Sequence, residues 1–204
     1  MTRPAWTIRR PLIVFLVLLN LVFLGVIFRL GSQALRVRAV PASKAGLPVL
    51  ASVSPFELIR ESGEPFSSET LKGRPWLASF IFTRCGGACP LMSSRFAVLQ
   101  RTLPAHTRLV SFTVDAAYDS PDVLKKYAAG YGAESGRWIF LTGDPAIIRQ
   151  VQTDLKLSNS DDPSMHSLRF VLIDREGNVR GYYDSQDTTA LEKLTKDIKL
   201  MEKP

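Results

Sequence analysis

The pattern of hydrophobic and polar positions after residue 75 predicts alternating strands and helices. Near-continuous apolar runs cover residues 76–82, 109–114, 138–141 and 168–173. Runs of this length are typical of strands that are covered on both faces. Helical spacing of apolar residues marks the segments 91–103, 121–131, 145–155 and 188–200. The alternation predicts an α/β fold, a mixed sheet with flanking helices on both faces.

Turn and cap residues place the boundaries of these elements. Ser120-Pro121 and Asp144-Pro145 are typical helix starts, with a capping side chain followed by proline in the first turn. Residues 174–178 predict the turn of a hairpin that continues to residue 183. Alternation over residues 56–60 indicates an earlier strand, and a turn then leads into a second short extended piece.

The pattern is different at the N-terminus, where residues 11–28 contain no charged side chain. A helix of this length extends about 27 Å, close to the hydrocarbon thickness of a bilayer. We therefore expect a cytoplasmic tail at residues 1–10, a transmembrane anchor at residues 11–28, a linker at residues 29–52 and a folded domain at residues 53–204. A cleaved signal peptide is the first alternative, and the Arg9-Arg10 pair adds a twin-arginine signal as a second. The arginines on both sides of the span leave its orientation open.

The basic charge belongs to this membrane-proximal end. The formal net charge is +7, but residues 1–39 carry six arginines and no acidic residue. The remaining residues hold 20 Lys and Arg against 19 Asp and Glu. A nearly neutral domain offers no basic patch for nucleic acid. The chain also lacks the glycine-rich phosphate loops of nucleotide-binding proteins.

Cys85 and Cys89 are the two cysteines of the chain, and they lie between the first apolar strand and its helix. The carboxyl ends of strands in an open α/β sheet are where ligands bind. Helix N-termini stabilise thiolates, and Gly86 and Gly87 allow the backbone to bend between the sulfurs. The pair is therefore predicted to form a redox-active disulfide or to bind a metal. An inert structural disulfide is the alternative.

His166 is the third candidate metal ligand, because it directly precedes the apolar strand at 168–173. Two thiolates and an imidazole suit Cu(I) well and Zn(II) less well, since zinc requires a fourth ligand. A histidine in this position is also compatible with a simple surface or core role. His106, Met92 and Met165 are not expected to be ligands.

Acidic residues offer a further set of candidates. Asp115 and Asp119 follow the second apolar strand and could act as acid–base groups. Their Asp-x-x-x-Asp-Ser-Pro setting equally suits a strand end and a helix cap. The acidic residues 161–162 are expected to lie in a solvated loop.

The order of these motifs resembles the SCO/SenC family of thioredoxin-like copper proteins. The resemblance rests on Thr83-x-Cys85-x₃-Cys89-Pro90, then Val114-Asp115 and Asp119-Ser120-Pro121, then His166-Ser167 before a strand and hairpin. The family often has Pro and Asp between its cysteines, where this chain has Gly86, Gly87 and Ala88. The missing acidic neighbour predicts a lower thiol pKa than a carboxylate there would give.

The resemblance implies a thioredoxin-like fold and a copper site formed by Cys85, Cys89 and His166. It implies a copper chaperone that assists assembly of the copper A centre of cytochrome c oxidase. The implied partners are the oxidase subunit that carries this centre, other copper chaperones or thiol carriers, and the membrane. The implied location is the inner (cell) membrane, with the domain on its periplasmic or equivalent extracytoplasmic side. An enzyme is the alternative: a thiol–disulfide oxidoreductase with Cys85 and Cys89 as its redox-active pair, reducing copper-ligand cysteines of a partner.

Overall fold

The structure is a computed structural model that describes residue 15 and residues 18–20, 46–157 and 168–202. The chain divides into two compact units, residues 1–40 and 41–204. In the first unit Phe15, Leu18, Leu19 and Asn20 are helical, and their side chains are exposed. Among the described residues, no helix has the length and apolar character needed to cross a membrane. Apart from these four residues, the predicted anchor at 11–28 lies outside the described part of the chain.

The second unit contains the predicted alternation of strands and helices. Its strands are β1 (Ala51–Ser52), β2 (Glu57–Arg60), β3 (Pro65–Ser67), β4 (Trp76–Ile81), β5 (Arg108–Thr113), β6 (Trp138–Thr142), β7 (Arg169–Ile173) and β8 (Asn178–Asp184). Its helices are α1 (Ala88–Thr102), α2 (Pro121–Gly130), α3 (Pro145–Asp154) and α4 (Thr188–Glu202), with a short 3₁₀ helix at Ser68–Leu71.

The described strands form one mixed sheet in the order β1-β8-β7-β4-β5-β6-β2-β3. Strands β4, β5 and β6 are parallel, whereas β7 is antiparallel to β4 and β2 is antiparallel to β6. The end of β4 and the start of β7 therefore lie at the same edge of the sheet. This is the edge from which the cysteine segment leaves β4.

Helices cover both faces of this sheet, as the sequence predicts. One face packs apolar residues of β4, β5, β6 and β7 against α1, α2 and α4, with Phe96 of α1 against Trp138 and Phe170. The other face packs around Phe112, includes apolar residues of β2 and β3, and is covered by α3. Every residue of β4 is buried, which explains its near-continuous apolar sequence.

The predicted helix starts at 120 and 144 are confirmed. Ser120 accepts a hydrogen bond from the backbone N–H of Val123, and Pro121 begins α2. Asp144 accepts one from the backbone N–H of Ala146, and Pro145 begins α3. Each side chain satisfies an N–H group that has no partner within its helix.

Part of the predicted linker is paired with the sheet. The two residues of β1 pair with Val179 and Asn178 of β8, and the Leu50 N–H donates to the Val179 carbonyl. Leu47 packs on the first hydrophobic face. A strand of two residues is too short to show alternation, which is why the sequence pattern does not reveal it.

The predicted hairpin at 174–178 is held by a buried ion pair. The Asp174 carboxylate accepts hydrogen bonds from the backbone N–H groups of Glu176 and Asn178. The Arg180 guanidinium donates both to Asp174 and to the Leu47 carbonyl. Gly177 adopts φ of 87°, a conformation that favours glycine.

Candidate metal centre

The cysteine segment begins where β4 ends and continues directly into α1. The Cys85 N–H donates to the Phe82 carbonyl at 3.2 Å, which turns the chain away from the sheet. Helix α1 begins at Ala88, so Cys89 is its second residue. Gly87 precedes the helix and has no capping side chain. The N–H groups of the first turn are therefore available to a sulfur at Cys85.

Cys85 is the accessible member of the pair. It is partly buried, and burial acts to raise the pKa of its thiol. Hydrogen bonds from the backbones of Cys89, Gly87 and Ala88 and from the Cys89 side chain oppose this effect. The pKa of Cys85 is lowered as a result. A thiolate here is stabilised by the start of α1 rather than by a basic side chain.

Cys89 lies in a contrasting environment. Its side chain is fully buried and packs within the same hydrophobic cluster as Met92 and Phe96. Burial raises the pKa of Cys89 to about 12, with a hydrogen bond involving the Phe82 backbone acting in the opposite direction. Each cysteine side chain acts on the pKa of the other, so the two thiols lie close together. Both are free thiols. The pair thus combines a partly accessible Cys85 with a Cys89 that is held in the core.

Asp119 fixes the backbone ahead of the cysteines. Its carboxylate is completely buried and accepts hydrogen bonds from the Thr83 backbone N–H, the Thr83 hydroxyl and the Thr113 hydroxyl. It thereby connects the end of β4 to the end of β5. The sequence does not decide whether Asp119 is an acid–base group or a helix cap. The structure shows a third role, because Ser120 caps α2 and Asp119 faces the cysteine segment.

Arg84 carries the positive charge next to Cys85. Its guanidinium donates to the Asp115 carboxylate, with an Nη2–Oδ2 distance of 2.6 Å, and lies 4.1 Å from the Tyr118 ring centroid. The hydrogen bond that Arg84 donates to Asp115 raises the pKa of Arg84. Arg84 and Tyr118 are both largely exposed, so this cation–π pair forms part of the surface around Cys85. No motif in the sequence indicates this pairing.

His166 lies outside the described residues, so its predicted contact with the cysteines stays a prediction. Leu168, two residues further on, packs against the cluster that contains Cys89, as does the partly buried Cys85. Its carbonyl accepts a hydrogen bond from the Ser185 N–H at 2.9 Å. Within the described residues, no group of three His, Cys, Asp or Glu side chains could hold a metal ion.

The other candidate residues lie elsewhere. Met92 is buried in the core, and His106 is exposed in the turn before β5, at the opposite sheet edge. Met165 and residues 161–162 lie outside the described residues.

Comparison with known proteins agrees with this architecture. The sequence model of the family described as SCO1/SenC matches residues 47–202. The SCO1 protein homolog of Bacillus subtilis (strain 168) is 34% identical over 161 residues, covering 74% of this chain and 83% of that protein.

Solved structures with the same fold extend the comparison. BsSco, described with a disulfide switch and as a member of the Sco family of cytochrome c oxidase assembly proteins, superposes with a TM-score of 0.65. It is 34% identical, with 73% of this chain and 92% of BsSco covered. Bradyrhizobium japonicum ScoI, solved with copper bound, gives a TM-score of 0.60 at 25% identity, with coverage of 74% and 99%.

Proposed function

This chain belongs to the SCO1/SenC family, and on that premise we propose that it is a copper chaperone for assembly of the copper A centre of cytochrome c oxidase. Copper is its cargo, held by Cys85, Cys89 and His166. The observation that carries the proposal is the position of two adjacent free thiols at the start of α1. The copper-bound Bradyrhizobium relative and the oxidase-assembly description of BsSco support it.

The donor chemistry fits a monovalent copper ion. Thiolates are soft ligands that select Cu(I), and an imidazole completes a three-coordinate site. The backbone N–H groups around Cys85 offset part of the negative charge that two thiolates introduce. The start of β7 lies at the edge where β4 ends, and this supports the proposal that His166, which precedes β7 in the sequence, supplies the third ligand.

The difference between the two cysteines also suits transfer. Buried Cys89 provides a fixed attachment, whereas Cys85 is open to an acceptor. Copper can then pass to a partner thiolate while it stays bound to Cys89, so that the free ion is never released.

The proposal places the domain outside the cytoplasm, tethered by the apolar segment at 11–28. A cytochrome c oxidase copper centre is assembled at a membrane, and an anchored chaperone remains close to it. A reporter fused after Pro204 tests the orientation, because an enzyme that is active only outside the cytoplasm should be active in this fusion. A reporter active only in the cytoplasm contradicts the proposed orientation.

Copper binding is tested by anaerobic titration of the reduced full-length chain with Cu(I) against a competing chelator. We expect one copper per chain and an affinity loss of at least tenfold for His166→Ala. His106→Ala is the matched control and should bind as the wild type does. Equal affinities for the wild type and His166→Ala would contradict the three-ligand site.

A thiol–disulfide oxidoreductase is the second candidate, and the opposite pKa shifts of the two cysteines favour it. The Cys85 thiolate attacks a partner disulfide, which forms a mixed disulfide and releases one partner thiolate. The Cys89 thiol then loses its proton and attacks the Cys85 sulfur, which releases the second partner thiol. Two electrons pass to the partner, and Cys85 and Cys89 become a disulfide. The disulfide switch described for BsSco supports this step.

The role of His166 separates the two candidates. A dithiol reductant has no need of an imidazole, so His166→Ala should still reduce an oxidised copper A fragment at the wild-type rate. The chaperone requires the imidazole, so the same variant should fail to form the copper A centre in cells. Normal copper A assembly by His166→Ala, together with wild-type reductase rates, would establish the reductase instead.

A further inference from the structure

A group of four arginines lies at the edge of the sheet opposite the cysteines. Arg108 is the first residue of β5, where it pairs with Trp76, whereas Thr113 at the other end of β5 pairs with Ile81. A strand of this length spans about 17 Å. Burial and the positive charges of Arg74, Arg137 and Arg60 lower the pKa of Arg108. The other three guanidiniums are therefore close enough to Arg108 to repel its positive charge.

A cavity of about 300 Å³ opens beside this group, and Arg60 and Arg108 are the two of the four arginines that line it. Its walls include charged, hydroxyl and apolar groups, among them Arg60, Glu64, Phe66, Thr70, Arg108 and Ile139. Arg108 is partly buried against the wall, and Phe66 forms part of the apolar lining. The cavity is thus a concave site with charged and apolar walls, and not a set of separate cations on the surface.

The positive charge of this group is incompletely compensated. Arg60 pairs with Glu61 at 3.6 Å, and Arg137 pairs with Glu134 at 3.4 Å. Arg74 and Arg108 make no ion pair with any residue that the structure describes.

Arg60 also has an unused donor. Its Nε is buried and has no protein hydrogen-bond partner. A buried guanidinium donor without a partner is costly, and the same side chain lines the cavity.

Glu64 is the acidic side chain of the cavity wall. It is exposed at the rim and hydrogen-bonded to the Ser62 hydroxyl at 3.1 Å. Solvent screens an exposed carboxylate more strongly than a partly buried guanidinium. Glu64 therefore reduces the positive potential of the cavity without cancelling it.

We propose that this cavity, lined by Arg60 and Arg108, binds an oxyanion of the phosphate class. Guanidinium groups donate paired hydrogen bonds that match phosphate oxygens. A multiply charged anion compensates the two guanidiniums of the cavity wall better than a single carboxylate does. The ligand is a free phosphate or the phosphate of a lipid headgroup. The site lies apart from the cysteine edge, and its proposal does not depend on copper binding.

The test uses the full-length chain in neutral detergent and phosphate-free buffer at constant ionic strength. Inorganic phosphate and a short-chain phosphatidylglycerol are titrated separately by calorimetry, and each is also tested for an increase in melting temperature. Binding of inorganic phosphate identifies a free-phosphate site. Binding of the lipid alone identifies a headgroup site. Failure of both probes to bind overturns the proposal.

Four substitutions, one of them a control, establish where the anion binds. Arg108→Gln should weaken binding at least tenfold, and Glu64→Gln should tighten it because the competing carboxylate is removed. Arg149→Gln, at an exposed position of α3, is the control and should leave binding unchanged. Arg60→Gln provides a second loss-of-binding variant if Arg108→Gln does not fold. Equal affinities for the wild type, Arg108→Gln or Arg60→Gln, and Glu64→Gln would refute the site.

Discussion

The buried carboxylate of Asp119 holds Thr83 through both its backbone N–H and its hydroxyl. Thr83 is two residues ahead of Cys85, so this contact fixes the point from which the cysteine segment leaves the sheet. The same carboxylate also accepts the Thr113 hydroxyl at the end of β5. The position of the candidate metal centre therefore depends on an acidic residue that does not belong to its ligand set.

Replacing Asp119 with Asn should destabilise the fold and weaken copper binding. The amide has one acceptor oxygen and cannot receive all three hydrogen bonds, so at least one buried donor loses its partner. We expect a decrease of about 1–3 kcal/mol in the free energy of unfolding, measured by denaturant titration. Copper affinity should fall several-fold in a Cu(I) competition assay.

Ser120→Ala is the matched control for Asp119→Asn. It removes the cap of α2 and should cost about 1 kcal/mol, while copper affinity remains at the wild-type value. If both variants bind copper as the wild type does, Asp119 has a purely structural role and does not position the cysteines.

The two cysteines should react with iodoacetamide at very different rates. The lowered pKa of Cys85 increases its thiolate fraction at neutral pH, and its alkylation rate should rise at a lower pH than that of a cysteine in the unfolded chain. Cys89, with its pKa raised to about 12 and no solvent exposure, should resist modification up to pH 9. Mass spectrometry of the reduced, metal-free chain between pH 6 and 9 measures both rates. Faster labelling of Cys89 than of Cys85 would show that their assigned environments are reversed.

The sign of the Cys89 shift also predicts how stability depends on pH. A thiol whose pKa is higher in the folded chain favours folding below its ordinary pKa of 9.0, and this contribution is lost as the pH rises toward about 12. The free energy of unfolding of the wild type should therefore decline more steeply above pH 9 than that of Cys89→Ala. Parallel declines of the two proteins would contradict the raised pKa.

Breaking the buried Asp174–Arg180 pair should be more damaging than breaking an exposed one. Arg180→Met leaves the buried Asp174 carboxylate without its cation and removes the contact with the Leu47 carbonyl. We expect a loss of about 3 kcal/mol in the free energy of unfolding. Lys72→Met, which breaks the exposed pair with Glu69, should cost less than about 1 kcal/mol. Similar losses in the two variants would show that the buried pair has no special role in stability.

The sequence predicts the features that depend on the residue pattern within a short stretch of the chain. The apolar run of β4 and the caps at Ser120 and Asp144 are local signals, and the structure confirms them. The position of the cysteine pair after β4 is predicted in the same way, because the strand, the turn and the start of the helix follow one another in the chain.

Features that depend on long-range contacts could not be predicted in this way. Asp119 reaches Thr83 across 36 positions, and its burial is set by the parallel pairing of β4 with β5. The arginines at 60, 74, 108 and 137 are separated by more than ten residues each and come together only through the sheet order. Their grouping is also hidden by a domain charge that is nearly neutral overall.

X-ray absorption spectroscopy of the full-length chain loaded with one Cu(I) tests the proposed site most directly. The wild type should show two sulfur neighbours and one nitrogen neighbour around copper, from Cys85, Cys89 and His166. His166→Ala should lose the nitrogen neighbour, whereas His106→Ala should retain it. A wild-type spectrum with sulfur neighbours alone, or a nitrogen neighbour that persists in His166→Ala, would contradict the proposed copper site.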